Sequence, residues 1–221
     1  ILDEARETAR AMRDENAAFE HQKRSTVTIA TIPTVVSALL VPALRRLRGQ
    51  AGASRFRVID LAANEVAEAV AGGEADIGLC SIPLVEPTTE FEPLFNDPVW
   101  LAMPAGRAVS AAGSVSWREL VQEPLILPAR GTGNRLLIDE ALAKAKVPAR
   151  WTFEVGRSST AMDLVAGGVG VAPLPRSALT AELPVGVTVC RLIGPEVSRP
   201  VGLLRRIGHR DGPDTAALVG A

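Results

Sequence analysis

The sequence predicts an α/β fold with two lobes. Three observations carry that prediction. Beyond residue 25, short β-branched runs alternate with helix-type segments. A strand–helix–strand–helix–strand order spans residues 27–82 and returns over residues 125–174. Further strands lie at 91–103 and 200–206, where the chain can pass from one unit to the other and back. Alternating strands and helices give parallel sheets through right-handed crossovers. A chain of 221 residues with 47% hydrophobic content can bury two compact cores of this kind.

Residues 1–24 read as one helix, rich in Ala, Glu and Arg and without Pro or Gly. Leu2, Ala5, Ala9, Met12, Asn16 and Phe19 follow a heptad seam, with the polar Asn16 at an a position. Two readings stay open: an amphipathic helix packed on its own domain, or a linker helix that pairs in a dimer. A strand is expected at 27–32, and an apolar helix at about 34–48 after Pro33. A second strand follows at 55–61. A short helix follows at 64–71, with Asn64 as N-cap and Gly72 and Gly73 ending it. The third strand is 76–82. Strands at 91–95 and 98–103 are separated by the turn-prone Asn96-Asp97-Pro98. A short helix at 117–121 precedes a strand at 125–128, a helix at 135–146 and a strand at 151–155. Ser158 to Thr160 cap a helix to about 166, and a glycine turn leads into the strand 171–174. Strands at 187–192 and 200–206 and a short helix within 209–221 complete the chain.

Composition excludes several classes. The net charge of −1 gives no global attraction for nucleic acid or acidic membranes. No apolar run is long enough to span a bilayer, and no signal-peptide core opens the chain. The two cysteines, Cys80 and Cys190, are far apart, which suits a reducing compartment and implies no disulfide framework. The first residue is Ile, so a fragment or processed product is expected.

Taken in order, "VTIATIPTVVSALLVPALRRLR", "RVIDLAANEVAEAVAGGEADIGLCSI" and "FEPLFNDPVWLAMPAGRAV" resemble the effector-binding domain of LysR-type transcription regulators. The second lobe matches as well, in "LILPARGTGNRLLIDEAL" and "SSTAMDLVAGGVGVAPLPRSAL". Residues 25–206 carry the resemblance. It implies two Rossmann-like lobes joined by two crossover strands, the type II periplasmic-binding-protein-like arrangement, with an N-terminal linker helix. Lobe I is then expected at 25–103 and 202–221, lobe II at 104–201, and the linker or dimerisation helix at 1–24. The family also implies a winged helix-turn-helix DNA-binding domain ahead of the linker. That domain is missing from this sequence, so DNA contact is expected only through it. A dimer or tetramer in the cytoplasm is implied, with effector domains paired antiparallel. One departure stands out: the stretch from Pro33 to Pro42 looks one residue longer than is usual, at the start of the helix lining the cleft.

The expected site is the cleft at the carboxyl ends of the strands, where helix N-termini offer free N–H groups to anions. Four loops qualify. Thr31, Pro33 and Thr34 follow the first strand, and Cys80, Ser81 and Ile82 end the third. Arg130, Gly131, Thr132 and Asn134 open the first long helix of the second lobe, and Ser159 and Thr160 begin the next. Hydroxyls can bond a carboxylate or carbonyl, and Arg130 can pair a carboxylate through two hydrogen bonds. A small organic acid is the expected effector. Against this, Thr34, Asn64 and Ser158 to Thr160 suit helix capping with no ligand, and Arg130 can be a solvated loop charge.

Catalysis is not expected. His21 and His209 lie far from these loops, no zinc-type His/Cys spacing occurs, and Gly-x-Ser-x-Gly is absent. The Gly-Thr-Gly-Asn loop lacks the Lys-Ser/Thr ending of a P-loop. No cofactor and no metal are expected, and redox sensing by the distant cysteines is disfavoured. The rival reading is a periplasmic solute-binding protein of a transport system, which shares the hinged two-lobe architecture.

Overall fold

A computed structural model describes residues 26–47, 55–81, 87–107, 113–148, 150–179 and 183–221. The helix expected over 1–24, with His21, lies outside the described residues, as does Ile82.

Strand β1 (Thr26–Thr31) runs parallel to both β2 (Arg55–Asp60) and β3 (Ile77–Ser81). The link from β1 to β2 is helical but not regular. A 3-10 turn, Pro33–Val35, passes into a π-turn, Val36–Leu40, and then into helix α1 (Val41–Leu47). Proline explains the irregularity. Pro42 has no N–H to donate, and in a regular helix its ring would press on the Ala38 carbonyl. Widening the preceding turn, so that the Val41 N–H bonds the Val36 carbonyl, relieves that contact. The wide turn lies within Pro33 to Pro42, the stretch that looks one residue longer than is usual in the sequence.

Helix α2 (Ala63–Ala71) connects β2 to β3. Its N-cap is Ala62, not Asn64. Ala62 has no side-chain acceptor, and the Glu65 carboxylate takes its backbone N–H at 2.7 Å. Gly72 is the C-cap and Gly73, at φ +76°, reverses the chain.

The expected pair of strands at 91–95 and 98–103 is one long strand, β4 (Thr89–Pro104). Asn96-Asp97-Pro98 does not turn, because each of these residues faces a partner on β10 (Ser198–Arg206). Turn propensity is overridden by a full antiparallel ladder. β4 pairs with β10 from Thr89 to Pro98, then changes partners. From Val99 onward it pairs with β8 (Ala172–Pro175), and from Trp100 with β9 (Val187–Ile193).

Strand β5 (Ser114–Ser116), absent from the sequence reading, pairs with β9 and leads into a 3-10 turn at Trp117–Leu120. Strands β6 (Ile126–Pro128) and β7 (Phe153–Val155) pair in parallel around helix α3 (Gly133–Lys144). Helix α4 (Ser158–Ala166) leads to β8, and a parallel bridge from Leu125 to Val171 joins β6 to it. Helix α5 (Pro213–Val219) closes the chain's order.

The sheet order is β2-β1-β3-β10-β4-β9-β5, with β8 also on β4. Buried apolar side chains fall into separate groups on either side of the change of partners. Ile29, Val35, Val66, Val70, Ile77 and Val201 belong to one. Leu101, Met103, Trp117, Ile138 and Val197 belong to a second, and Ile126, Ala161, Val165 and Leu174 form a third beside it. The two crossover strands, β4 and β10, connect these packed masses.

Candidate ligand-binding site

The carboxyl ends of β1 and β3, the start of α3 and the segment after β8 meet around one side chain, Arg199 of β10. Arg199 stands directly opposite Asp97 in the β10–β4 ladder. Both side chains are almost fully buried, at 2% and 1% exposed. A buried charge is tolerated only when paired and hydrogen-bonded, and here both conditions hold. Nε and Nη2 of Arg199 donate to Asp97 Oδ2 at 3.1 and 3.0 Å. Nη1 donates to Ser81 Oγ at 3.3 Å and to Asn134 Oδ1 at 3.0 Å. Nη2 also reaches Thr34 Oγ1 at 2.9 Å and Ser177 Oγ at 3.2 Å. Ser177 in turn donates its N–H to Asp97 Oδ1 at 2.9 Å and its hydroxyl to Oδ2 at 2.7 Å. Burial pulls the Arg199 pKa down, and the adjacent Asp97 charge and hydrogen bonds oppose that pull.

Three of the residues chosen from sequence therefore converge: Thr34, Ser81 and Asn134. Three that complete the cluster were not chosen: Asp97, Ser177 and Arg199. Asp97 was hidden by its turn-like neighbours. Arg199 carried a signal in the sequence, a charge entering the otherwise apolar run Pro200–Leu204. Ser177 gave none.

The remaining candidates are placed as follows. Thr31 ends β1, fully buried, with its hydroxyl donating to the Ile32 carbonyl at 3.1 Å. Pro33 is exposed at the start of the 3-10 turn. Cys80 is fully buried in the first apolar group, and that burial pushes its thiol pKa up to about 12. Arg130 is 73% exposed and lies 4.0 Å from Glu154. Gly131 adopts φ +84°, which a side chain would resist. Thr132 is the N-cap of α3: its Oγ1 accepts the Arg135 N–H at 3.3 Å and donates to the Ala129 carbonyl at 2.7 Å. Ser159 and Thr160 lie exposed in the first turn of α4, whose N-cap is Arg157 without a side-chain cap bond. Ser158 is thus inside the helix, and Ser158 to Thr160 do not cap it.

Between the starts of α3 and α4 lies a small cavity of about 50 Å³. Thr132, Asn134, Gly156, Ser158 and Ala161 line it, with Ile126 and Leu174 beneath. Its position is that of a site fed by two helix N-termini, whose free N–H groups and dipoles favour negative charge. Among the described residues no cluster of His, Cys, Asp and Glu could hold a metal ion. Nor is any described helix long and apolar enough to cross a membrane.

Comparison with known proteins agrees with this architecture. Residues 20–221 match the LysR substrate binding domain. The HTH-type transcriptional regulator YbhD of Escherichia coli strain K12 is 30% identical over 213 residues, covering 93% of this chain and 66% of YbhD. The chain thus spans just under two thirds of that relative. The effector binding domain of a BenM variant superposes with a TM-score of 0.77 at 18% identity, covering 89% of this chain and 92% of that one. The effector binding domain of QuiR, in complex with shikimate, gives a TM-score of 0.75 at 18% identity, covering 88% and 93%. The structural likenesses give the type II two-lobed fold, and the family match together with YbhD disfavours the transport-component reading. With a family match that runs from residue 20 to the last residue, the chain belongs to the LysR substrate binding domain family.

Proposed function

We propose that this chain is the effector-sensing part of a cytoplasmic LysR-type transcription regulator and has no catalytic activity of its own. The effector is a small organic acid held between the lobes. DNA is contacted only through a winged helix-turn-helix domain outside this sequence, and the regulator assembles as a dimer or tetramer. Lobe I comprises 25–103 and 202–221, lobe II comprises 104–201, and residues 1–24 form the linker helix.

The observation that carries this reading is the convergence of Thr34 and Ser81, from one side, with Asn134, from the other, on a single buried point between the two packed masses. Polar groups drawn from separate elements toward one interior point are what a small-molecule site requires. The cavity at the starts of α3 and α4 supports an acid, because both helix ends favour a carboxylate. In this reading Arg130, Gly131, Ser159 and Thr160 would contact the ligand from one lobe and Pro33 from the other, with the fully buried Thr31 and Cys80 behind them; Ile82 is a candidate by sequence position alone. Structural neighbours solved with benzoate and with shikimate hold carboxylates.

Output follows from differential affinity. A ligand that binds one hinge angle better than another shifts the population toward it, and only by that difference. Isothermal titration with a panel of small carboxylates, benzoate and shikimate included, tests the reading. Saturable binding of at least one acid is expected. Binding of neutral or cationic compounds alone would overturn the acid assignment.

A further inference from the structure

The polar groups that should meet a ligand already meet the protein. Every guanidinium nitrogen of Arg199 has a partner: Nε has Asp97, Nη1 has Ser81 and Asn134, and Nη2 has Thr34, Asp97 and Ser177. Asp97 is equally engaged, with Ser177 on both of its oxygens. Arginine has five N–H donors in a rigid planar fork, so this set leaves it little to offer a newcomer. The partners also come from both sides of the hinge. Thr34 follows β1 and Ser81 ends β3, both in the first packed mass. Asn134 begins α3, and Ser177 follows β8, in the second. Arg199 and Asp97 themselves sit face to face on the two crossover strands, where β4 is about to change partners.

We propose that Arg199 is an internal occupant of the inter-lobe cleft: a latch that holds the lobes together without effector, whose bonds to Thr34 and Asn134 an effector must displace. This rests on the cleft reading above and adds its regulation. A carboxylate that reaches Arg199 meets no bare positive charge there, since Asp97 already neutralises it. An effector that succeeds must therefore offer acceptors to the Nη atoms while the Asp97 pair stays intact. That exchange of partners couples ligand chemistry to the lobe angle. It also makes Thr34 and Asn134, rather than Asp97, the positions that discriminate between ligands. Charge-assisted bonds in a dry interior are stronger than neutral ones, so the latch resists weak competitors.

The test needs no effector. Nitroxide labels are attached at R57C and K144C, two exposed positions on opposite sides of the hinge. Cys80 and Cys190 are buried, and the chain without introduced cysteines serves as the labelling blank. Labelled chain is diluted with unlabelled chain so that only distances within one molecule are read by double electron–electron resonance. The parent is expected to give one narrow distance distribution. T34A combined with N134A is expected to broaden it, and R199K, which keeps the charge but loses the fork, to broaden it less. Both variants should retain the parent's circular dichroism. If the T34A/N134A distribution stays as narrow as the parent's, the latch is wrong, whatever the titrations show. If it broadens while no acid binds the parent, the latch stands and the acid-effector reading fails.

Discussion

Asp97 and Arg199 form an ion pair buried on both sides, at the point where β4 changes partners. Removing one member of a buried ion pair leaves the other charge uncompensated, which typically costs about 3–5 kcal/mol. Asp97→Asn is expected to lower the unfolding free energy by about that much in urea denaturation. D97L combined with R199M is expected to cost less than the sum of the two single changes, because no lone charge remains. Cys80 supplies a pH signature. Its ordinary pKa of 9.0 is raised to about 12 by burial in the fold. The folded state therefore holds the thiol proton more tightly than the unfolded state. That contribution is fully present below pH 9.0 and is lost as pH rises toward about 12. Denaturation midpoints measured from pH 8 to 11 should fall with pH, and Cys80→Ala should flatten the fall. The same burial predicts that thiol reagents at pH 8 label Cys80 only on unfolding.

At the scale of elements, two close approaches decide how the crossover strands and their neighbours pack. A Cβ on Gly202 would run into the backbone carbonyl of Glu92 on β4, next to the register shift between Val201 and Gly202. One on Gly78 would lie 2.7 Å from Val66 Cγ1 and 3.0 Å from Val70 Cγ2 of α2. Gly202→Ala is expected to destabilise the chain by about 1–3 kcal/mol, the range for overpacking, and more than Gly78→Ala. Neighbouring side chains can yield at Gly78, but a ladder backbone cannot at Gly202. Urea melts of the two variants check the order. The parallel units were legible because β-branched runs such as Val27–Ile32 alternate with helix-type segments, a local pattern. The long β4 was not, because Asn96-Asp97-Pro98 reads locally as a turn and only the opposing β10 makes it a strand. The π-turn was not legible as a shape, since the shape depends on the Pro42 ring meeting the turn before it. Thr34, Ser81 and Asn134 could be chosen from loop position alone. Arg199, Asp97 and Ser177 could not, because their roles exist only once β10 lies beside β4.

Across the whole molecule, the arrangement is two packed masses, two crossover strands and a polar knot at their junction. The cleft reading predicts where a ligand will leave its mark. The most direct measurement is backbone hydrogen exchange with and without an acid selected by thermal shift. Saturating acid should slow exchange at residues 130–134 and 158–161 of one lobe together with residues around Thr34 of the other. Protection confined to one lobe, or at the ends of the molecule far from Arg199, would contradict binding between the lobes.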